Sequence, residues 1–293
     1  MTLKNMPENT TYKFDTLLRY KLIEIISLWE GRLTTNHLCQ TFGIGRQQAS
    51  KEINTYVKNI APRNLEYDSS LKGYKITKHF QPLFSQAVVE EYLNYLSELG
   101  LGESLIKHSY DQNHLLNFEI IKQPSRNISP VILSGLIRAI REKKRIELGY
   151  ISLSNPKIED RIIEPHCLVN TGPRWHIRAY CEKNRDFRDF VLSRFRGEVD
   201  VLDDALVSSS DDESWHTEIK IKLIPDTRLS SQQRKIIAQD YNMTRNKLII
   251  KTRAALVYYV LKQYQIDPKK IEVKPEAQQL MIENINELEK WFY

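Results

Sequence analysis

Apolar positions recur at helical spacing over about residues 15–30, where Leu17, Leu18, Leu22, Ile25, Ile26 and Trp29 form a stripe and Gly31 supplies a stop. A second, short helix follows, capped by Thr34 and closed near Phe42-Gly43. Leu33 and Leu38 stand where a hydrophobic staple needs them. A third helix is expected over 45–60, stopped by Pro62. It puts Ala49, Ile53, Tyr56, Val57 and Ile60 on one face and Gln47, Ser50, Lys51, Asn54 and Lys58 on the other. Two alternating segments, 65–67 and 73–76, then read as a hairpin closed by residues 68–72. Three helices, a tight glycine-containing turn and a hairpin are the order of a winged helix-turn-helix.

Residues 82–100 carry another helical stripe (Val88, Tyr92, Tyr95, Leu96, Leu99), and Pro124-Ser125 mark a boundary after a mixed stretch. A helix over 130–143 leads into a β-rich block with strands expected at 145–151, 160–164, 175–181 and 187–195. Ser154-Asn155-Pro156, Thr171-Gly172-Pro173 and Lys183-Asn184 are the turn signals between them. One leading helix with about five short strands fits a small barrel or a strongly bent sheet. Residues 208–214 (SSSDDES) read as a polar, acidic linker. Beyond it, strands at 218–224, 248–251 and 271–273 alternate with helices at 230–239, 254–264 and 275–291, the pattern of a compact α+β domain. The expectation is a multidomain α+β protein: a winged helix-turn-helix (1–80), a helical linker (81–125), a β-rich domain (126–207) and a C-terminal α+β domain (208–293).

Charge sharpens this by where it lies. The chain of 293 residues carries net +6, which alone is a weak hint of a polyanionic partner. Residues 1–80 hold net +5 and 126–205 net +3, separated by an acidic 81–125 of net −4. A nucleic-acid partner would meet the two basic blocks. Apolar runs are too short for a membrane helix, and the N-terminal MTLKNMPENTTYK lacks the apolar core of a signal peptide, so no membrane partner and a cytoplasmic location are expected. Cys39, Cys167 and Cys181 have no CxxC spacing and read as buried thiols, with no metal or other cofactor expected.

The polar face of the third helix is the first chemical candidate. Gln and Asn pair with adenine edges, and Lys or Arg with guanine or phosphate. Arg46, Gln47, Gln48, Ser50, Lys51 and Asn54 therefore read as DNA contacts, with Lys72 and Lys75 of the hairpin on backbone phosphates. The competing reading is a protein-interaction module with a solvated polar face; the charge and the Gly43/Gly45 turn favour DNA. In the strand 175–181, Trp175, Ile177 and Ala179 share the inward face, and His176, Arg178 and Tyr180 the other. Arg188 and Arg194 are placed beside that second face by a hairpin, with Tyr150 and Ser152 from the first strand. Such a surface suits a phosphate with a stacked base, or equally an ion-pair network with Glu182, Asp186 and Asp189. No Walker loop, HExxH or GxSxG motif is present, so no enzyme is expected. A helix stripe of Leu256, Val257, Tyr258 and Val260 is either a dimer surface or intradomain core.

Tyr150, Glu164-Pro165-His166, Gly172-Pro173-Arg174-Trp175-His176-Ile177-Arg178-Ala179-Tyr180 and Leu192-Ser193-Arg194-Phe195 together resemble a WYL domain. With the winged helix before and the α+β segment after, nearly the whole chain resembles WYL-type bacterial transcriptional regulators, closest to those of BREX-type phage-defence operons. The Tyr and Leu that name the motif are His176 and Ile177 here. The resemblance implies an Sm- or SH3-like barrel that senses a nucleotide or single-stranded nucleic acid, through Tyr150, Ser152, His166, Arg174, His176, Arg178, Tyr180, Arg188, Ser193 and Arg194. It also implies a homodimeric repressor on an inverted-repeat operator in double-stranded DNA, associated with the nucleoid. The alternative is an RNA-binding factor that uses the barrel directly.

Overall fold

The computed structural model describes residues 12–102, 118–121 and 123–292, so the mixed stretch after 102 lies largely outside the described residues. The chain divides into two units, Met1–Lys122 and Gln123–Tyr293.

In the first unit, α1 (Phe14–Trp29), α2 (Thr35–Phe42) and α3 (Arg46–Thr55) form a bundle around Ile23, Ile26, Leu33, Leu38, Ile53 and Tyr56. Thr34 caps α2 in a box whose third residue is His37, and Gly43 closes it at φ 63°, a left-handed position that favours glycine. The last turn of the third helix, Tyr56–Ile60, is π-helical rather than α-helical. The hairpin forms as expected from β1 (Leu65–Asp68) and β2 (Gly73–Ile76). Leu33 adds to it by exchanging backbone hydrogen bonds with Tyr74, at 2.7 and 2.8 Å.

The helix expected from residue 82 starts only at α4 (Val89–Gly102). The cause is Glu24, fully buried in α1. Its carboxylate accepts the backbone N–H groups of Leu83, Phe84 and Ser85 at 2.8, 2.9 and 2.7 Å, together with the Tyr56 hydroxyl at 2.8 Å. Those three N–H groups are satisfied without helix, which holds the segment open. Burial, then the adjacent Glu24 charge, pushes the Tyr56 phenol far above its usual range.

In the second unit, Ser129 caps α5 (Pro130–Glu142), which packs on a bent five-stranded antiparallel sheet. Its strands are β3 (Lys144–Tyr150), β4 (Glu159–Asn170), β5 (Trp175–Cys181), β6 (Asp186–Val191) and β7 (Phe195–Asp204), in the order β6-β5-β4-β3-β7. The last strand thus returns to pair with the first, the order of a small Sm- or SH3-like barrel. Gly135 is required where α5 meets the sheet, since a Cβ there would lie 2.5 Å from the Val199 Cγ1.

Three strand expectations change. The strand expected at 160–164 runs on through Pro165 to Asn170, because a bulge at 165–167 absorbs the missing N–H and leaves His166 unpaired. The strand expected at 187–195 ends at Val191, where a 3-10 turn (Leu192–Arg194) redirects the chain into β7, which the sequence reading omits. Residues 208–214 are not a free linker: they carry a 3-10 turn and the start of α6 (Glu213–His216), and Asp212 is 1% exposed.

The C-terminal block holds β8 (Glu218–Pro225) between β9 (Leu248–Arg253) and β10 (Leu280–Ile282), with α7 (Ser231–Asp240) and α8 (Val257–Gln263). No strand forms at 271–273. The expected 275–291 helix breaks into α9 (Pro275–Gln278), β10 and α10 (Ile285–Leu288), because Gln279 sits at φ 60° and turns Leu280 into the core beside β8. Among the described residues no helix is long and apolar enough to cross a membrane.

Candidate functional site

Arg46, Gln47, Gln48, Ser50 and Lys51 of α3 are exposed, opposite the buried Ala49 and Ile53. The structure differentiates residues that the sequence treats alike. Gln48 donates to Glu52 at 3.2 Å, and Glu52 is itself paired with Arg19 at 2.5 Å. Asn54 is half-buried, within 3.4 Å of both Ser50 and the Tyr74 hydroxyl, which links the helix to the hairpin. Lys75 is engaged by Asp68 at 2.8 Å, and this contact holds the Asp68 carboxyl well below the usual range. Arg46, Lys51 and Lys72 form no ion pair among the described residues. Tyr67, 62% exposed on the wing and edge-on to Tyr74, is a surface aromatic that the alternation of β1 could have flagged.

The face of β5 carrying His176, Arg178 and Tyr180 is not an open surface. His176 and Arg178 are buried, at 5% and 6% exposure, while Trp175, expected inside, is 46% exposed at the strand's first position. The cover comes from α6, α8 and the segment leading into α6. Arg178 donates Nε and Nη2 to the Asp212 carboxylate at 2.8 and 2.9 Å, Nη2 also to Ser214 at 2.6 Å, and Nη1 to Asp189 at 3.3 Å. His166 Nε2 lies 3.1 Å from Asp212, and its ring meets Phe187 and Trp215 edge-on. Tyr259 of α8 packs its ring 5.1 Å from His176 and donates its hydroxyl to Asp189 at 3.0 Å.

The electrostatics follow from that packing. Burial alone would raise the Asp212 pKa, but hydrogen bonds from His166, Arg178 and Ser214 hold it well below the usual carboxylate range. Burial lowers the His176 pKa, and the positive charges of Arg174 and Arg194 lower it further despite Asp189. The His176 Nδ1 is buried with no hydrogen-bond partner among the described residues. Burial, then Asp189, pushes the Tyr259 phenol above its usual range.

The remaining expected ligand residues scatter. Tyr150 is core: its ring lies 5.0 Å from Phe190 and its hydroxyl accepts the Val191 N–H. Ser152 turns into its own loop, bonded to Ser154 and Asn155. Arg188 pairs with Ala179 in register, so it lies on the opposite side of the pleat from Arg178, 3.7 Å from Asp186. Tyr180 is half-buried against Phe187. Arg174 and Ser193, by contrast, line a hollow of about 240 Å3 with Arg126 and the exposed Trp175. Arg194 is half-buried and has no ion pair among the described residues.

This architecture has known counterparts. Residues 15–98 match the BrxR transcriptional regulator winged helix-turn-helix domain, 131–199 the WYL domain, and 218–288 the BrxR transcriptional regulator C-terminal dimerization domain. The chain is 33% identical over 274 residues to the DNA-binding transcriptional repressor CapW of Pseudomonas aeruginosa, spanning 92% of this chain and 89% of that protein. It is 34% identical over 270 residues to CapW of Escherichia coli (strain KTE188), at the same coverages, and 29% over 282 residues to CapW of Stenotrophomonas maltophilia, at 93% and 91%. The chain belongs to this family of WYL-domain transcriptional regulators. In this WYL regulator Val257 of α8 is fully buried in a cluster with Ile221 and Leu223, whereas Leu256, Tyr258 and Val260 of the same stripe are half-buried within the single chain.

Proposed function

We propose that this protein is a homodimeric repressor that binds an inverted-repeat operator through α3 and the wing, controls a phage-defence operon from the bacterial nucleoid, and releases DNA when its WYL domain takes a nucleotide or single-stranded nucleic acid. The observation that carries the reading is the matched succession of winged helix, WYL domain and dimerization domain, with an exposed α3 face of Gln47, Ser50 and Lys51 on the first. Gln47 and Ser50 are the base-reading candidates, and Arg46, Lys51 and Lys72 the phosphate contacts. Beside the strand that carries Arg178, at the rim of the barrel, Arg174, Ser193 and the exposed Trp175 offer a guanidinium group and an aromatic face on which a base of the effector can stack. Its action is binding rather than turnover.

Tyr259 of α8, packed on His176 and hydrogen-bonded to Asp189, argues against the alternative in which RNA lies directly across the sheet. Footprinting of the DNA upstream of the gene, with and without short single-stranded DNA or RNA, tests the proposal. A protected palindrome lost on adding an oligonucleotide is the expected result. Equal affinity for single-stranded RNA and operator duplex would favour the alternative instead.

A further inference from the structure

The SSSDDES segment is the sequence feature that repression does not use, and the structure gives it a location. Its Asp212 is 1% exposed and receives two hydrogen bonds from Arg178, one nitrogen of His166 at 3.1 Å, and the Ser214 hydroxyl at 2.9 Å. Four of the five N–H groups of Arg178 are engaged by Asp212, Ser214 and Asp189. A guanidinium holds one bidentate anion at a time on that edge, so a phosphate reaches it only when the carboxylate leaves. The segment before Asp212 is tied down at few points and borders a void. The Ala205 N–H donates to the Lys143 carbonyl at 2.9 Å, Val207 donates to Glu164 Oε2 at 2.7 Å, and His216 Nε2 lies 2.9 Å from the Ser209 carbonyl, while residues 205–209 wall a cavity of about 590 Å3 together with His166, Phe187 and Glu164. The other Glu164 oxygen is buried with no hydrogen-bond partner among the described residues. Beyond Asp212, Trp215 continues the connection, with His166 against its ring and Arg253 of β9 4.7 Å over it.

We infer that the segment 205–214 is a removable internal ligand of the WYL domain, with Asp212 standing on Arg178 where a phosphate of the effector would stand. Docking of Asp212 and binding of the effector are then mutually exclusive. Because the same segment runs through Trp215 into β8 and β9, its release alters how the dimerization domain is held on the barrel. That gives the effector the differential affinity for two states that any change in DNA binding requires. The inference rests on the reading that the WYL domain senses a nucleic-acid ligand, and it names how that site is regulated.

The test is calorimetric titration of full-length protein with a short 5′-phosphorylated oligothymidylate, in wild type, Asp212→Asn and Arg178→Gln, with limited proteolysis across 205–211 as a second readout. Removing the competing carboxylate should tighten binding about tenfold or more, since apparent affinity scales with the fraction of site left open. Arg178→Gln should lose binding, and the oligonucleotide should make the wild-type segment protease-sensitive. If Asp212→Asn and wild type bind equally while Arg178→Gln is impaired, the internal-ligand idea fails and the sensor site stands. If Arg178→Gln binds as wild type does, the idea fails and the sensor moves to Arg174 and Arg194. Absence of binding by wild type and Asp212→Asn alike overturns the nucleic-acid reading and this inference with it. Should Asp212→Asn melt too low to assay, Ser214→Ala removes the hydroxyl that accepts from Arg178 and donates to Asp212, and should shift affinity in the same direction by a smaller factor.

Discussion

Gln47 and Asn54 lie on one helix face and have the same amide chemistry, yet their surroundings separate them. Gln47 is exposed, whereas the Asn54 carbonyl already accepts from Tyr74. Replacing Gln47 by Ala should therefore relax sequence preference at one operator position, at a cost of about 1–3 kcal/mol for a lost bidentate contact. Asn54→Ala should instead weaken all sequences, by loosening the wing. Competition gel shifts against operators mutated base by base distinguish the two; identical specificity profiles for wild type and Gln47→Ala would remove Gln47 from the interface. His176 makes a second residue-scale prediction. Burial and then the neighbouring arginines hold its pKa below the ordinary value of about 6.5, so the unfolded chain binds this proton more readily than the folded protein. Stability from this residue is fully present above about pH 6.5 and falls as pH drops through the interval down to the folded value. Thermal melts from pH 7.5 to 5.5 (roughly the span around that ordinary value) should show a smaller loss for His176→Gln than for wild type, and parallel curves would contradict the assignment.

At the scale of elements, β5 shows how far a strand's pattern can be read. Alternation located the strand and its two faces correctly, with Ile177 and Ala179 in the core. It misplaced Trp175, because strand parity says nothing about how far the opposing helix reaches, and α5 does not cover the first position. It also left His176 and Arg178 exposed, because the cover comes from Asp212 and Tyr259, distant in sequence and on segments that read as a linker and as an interface helix. The winged helix was the most legible part, since its signals are local: a cap at Thr34, a glycine at position 43, and turn chemistry at residues 68–72, where Asp68 accepts the N–H groups of Ser70 and Leu71. The late start of α4 was not legible, for it depends on a buried carboxylate on α1 some sixty residues earlier. Of the expected effector residues, Arg174 and Ser193 line the hollow beside Trp175, while Tyr150 packs in the core. Trp175→Ala follows from this at the element scale. Exposed residues away from special contacts change stability by about 0.5 kcal/mol or less, so the barrel should stay folded. Oligonucleotide binding should weaken by about 1–3 kcal/mol if a base stacks on the indole. A collapsed near-ultraviolet spectrum for Trp175→Ala would show the residue to be structural after all.

For the whole molecule, the dimer and the operator must share a symmetry. One winged helix reads a short half-site, and two related by a two-fold axis read a palindrome, each protomer making the same phosphate contacts. That equivalence can be measured without locating the dimer interface. Each phosphate neutralised on duplex DNA contributes about −0.9 to the slope of log affinity against log salt concentration. Lys72, exposed at the tip of the wing and without an ion pair among the described residues, should supply one such contact per protomer. Lys72→Ala should then flatten the slope by about 1.8 on the full inverted repeat, where two copies of the lysine are lost, and affinity should fall by a similar factor on specific and non-specific duplexes. On a duplex bearing a single half-site, with the second wing off the DNA, the same substitution should flatten the slope by only about 0.9. Lys75→Ala should change neither slope much, because its ammonium is already held by Asp68. A change of about 0.9 on both duplexes would mean that a single wing contacts DNA at a time, and the symmetric-dimer reading of the operator would have to be abandoned.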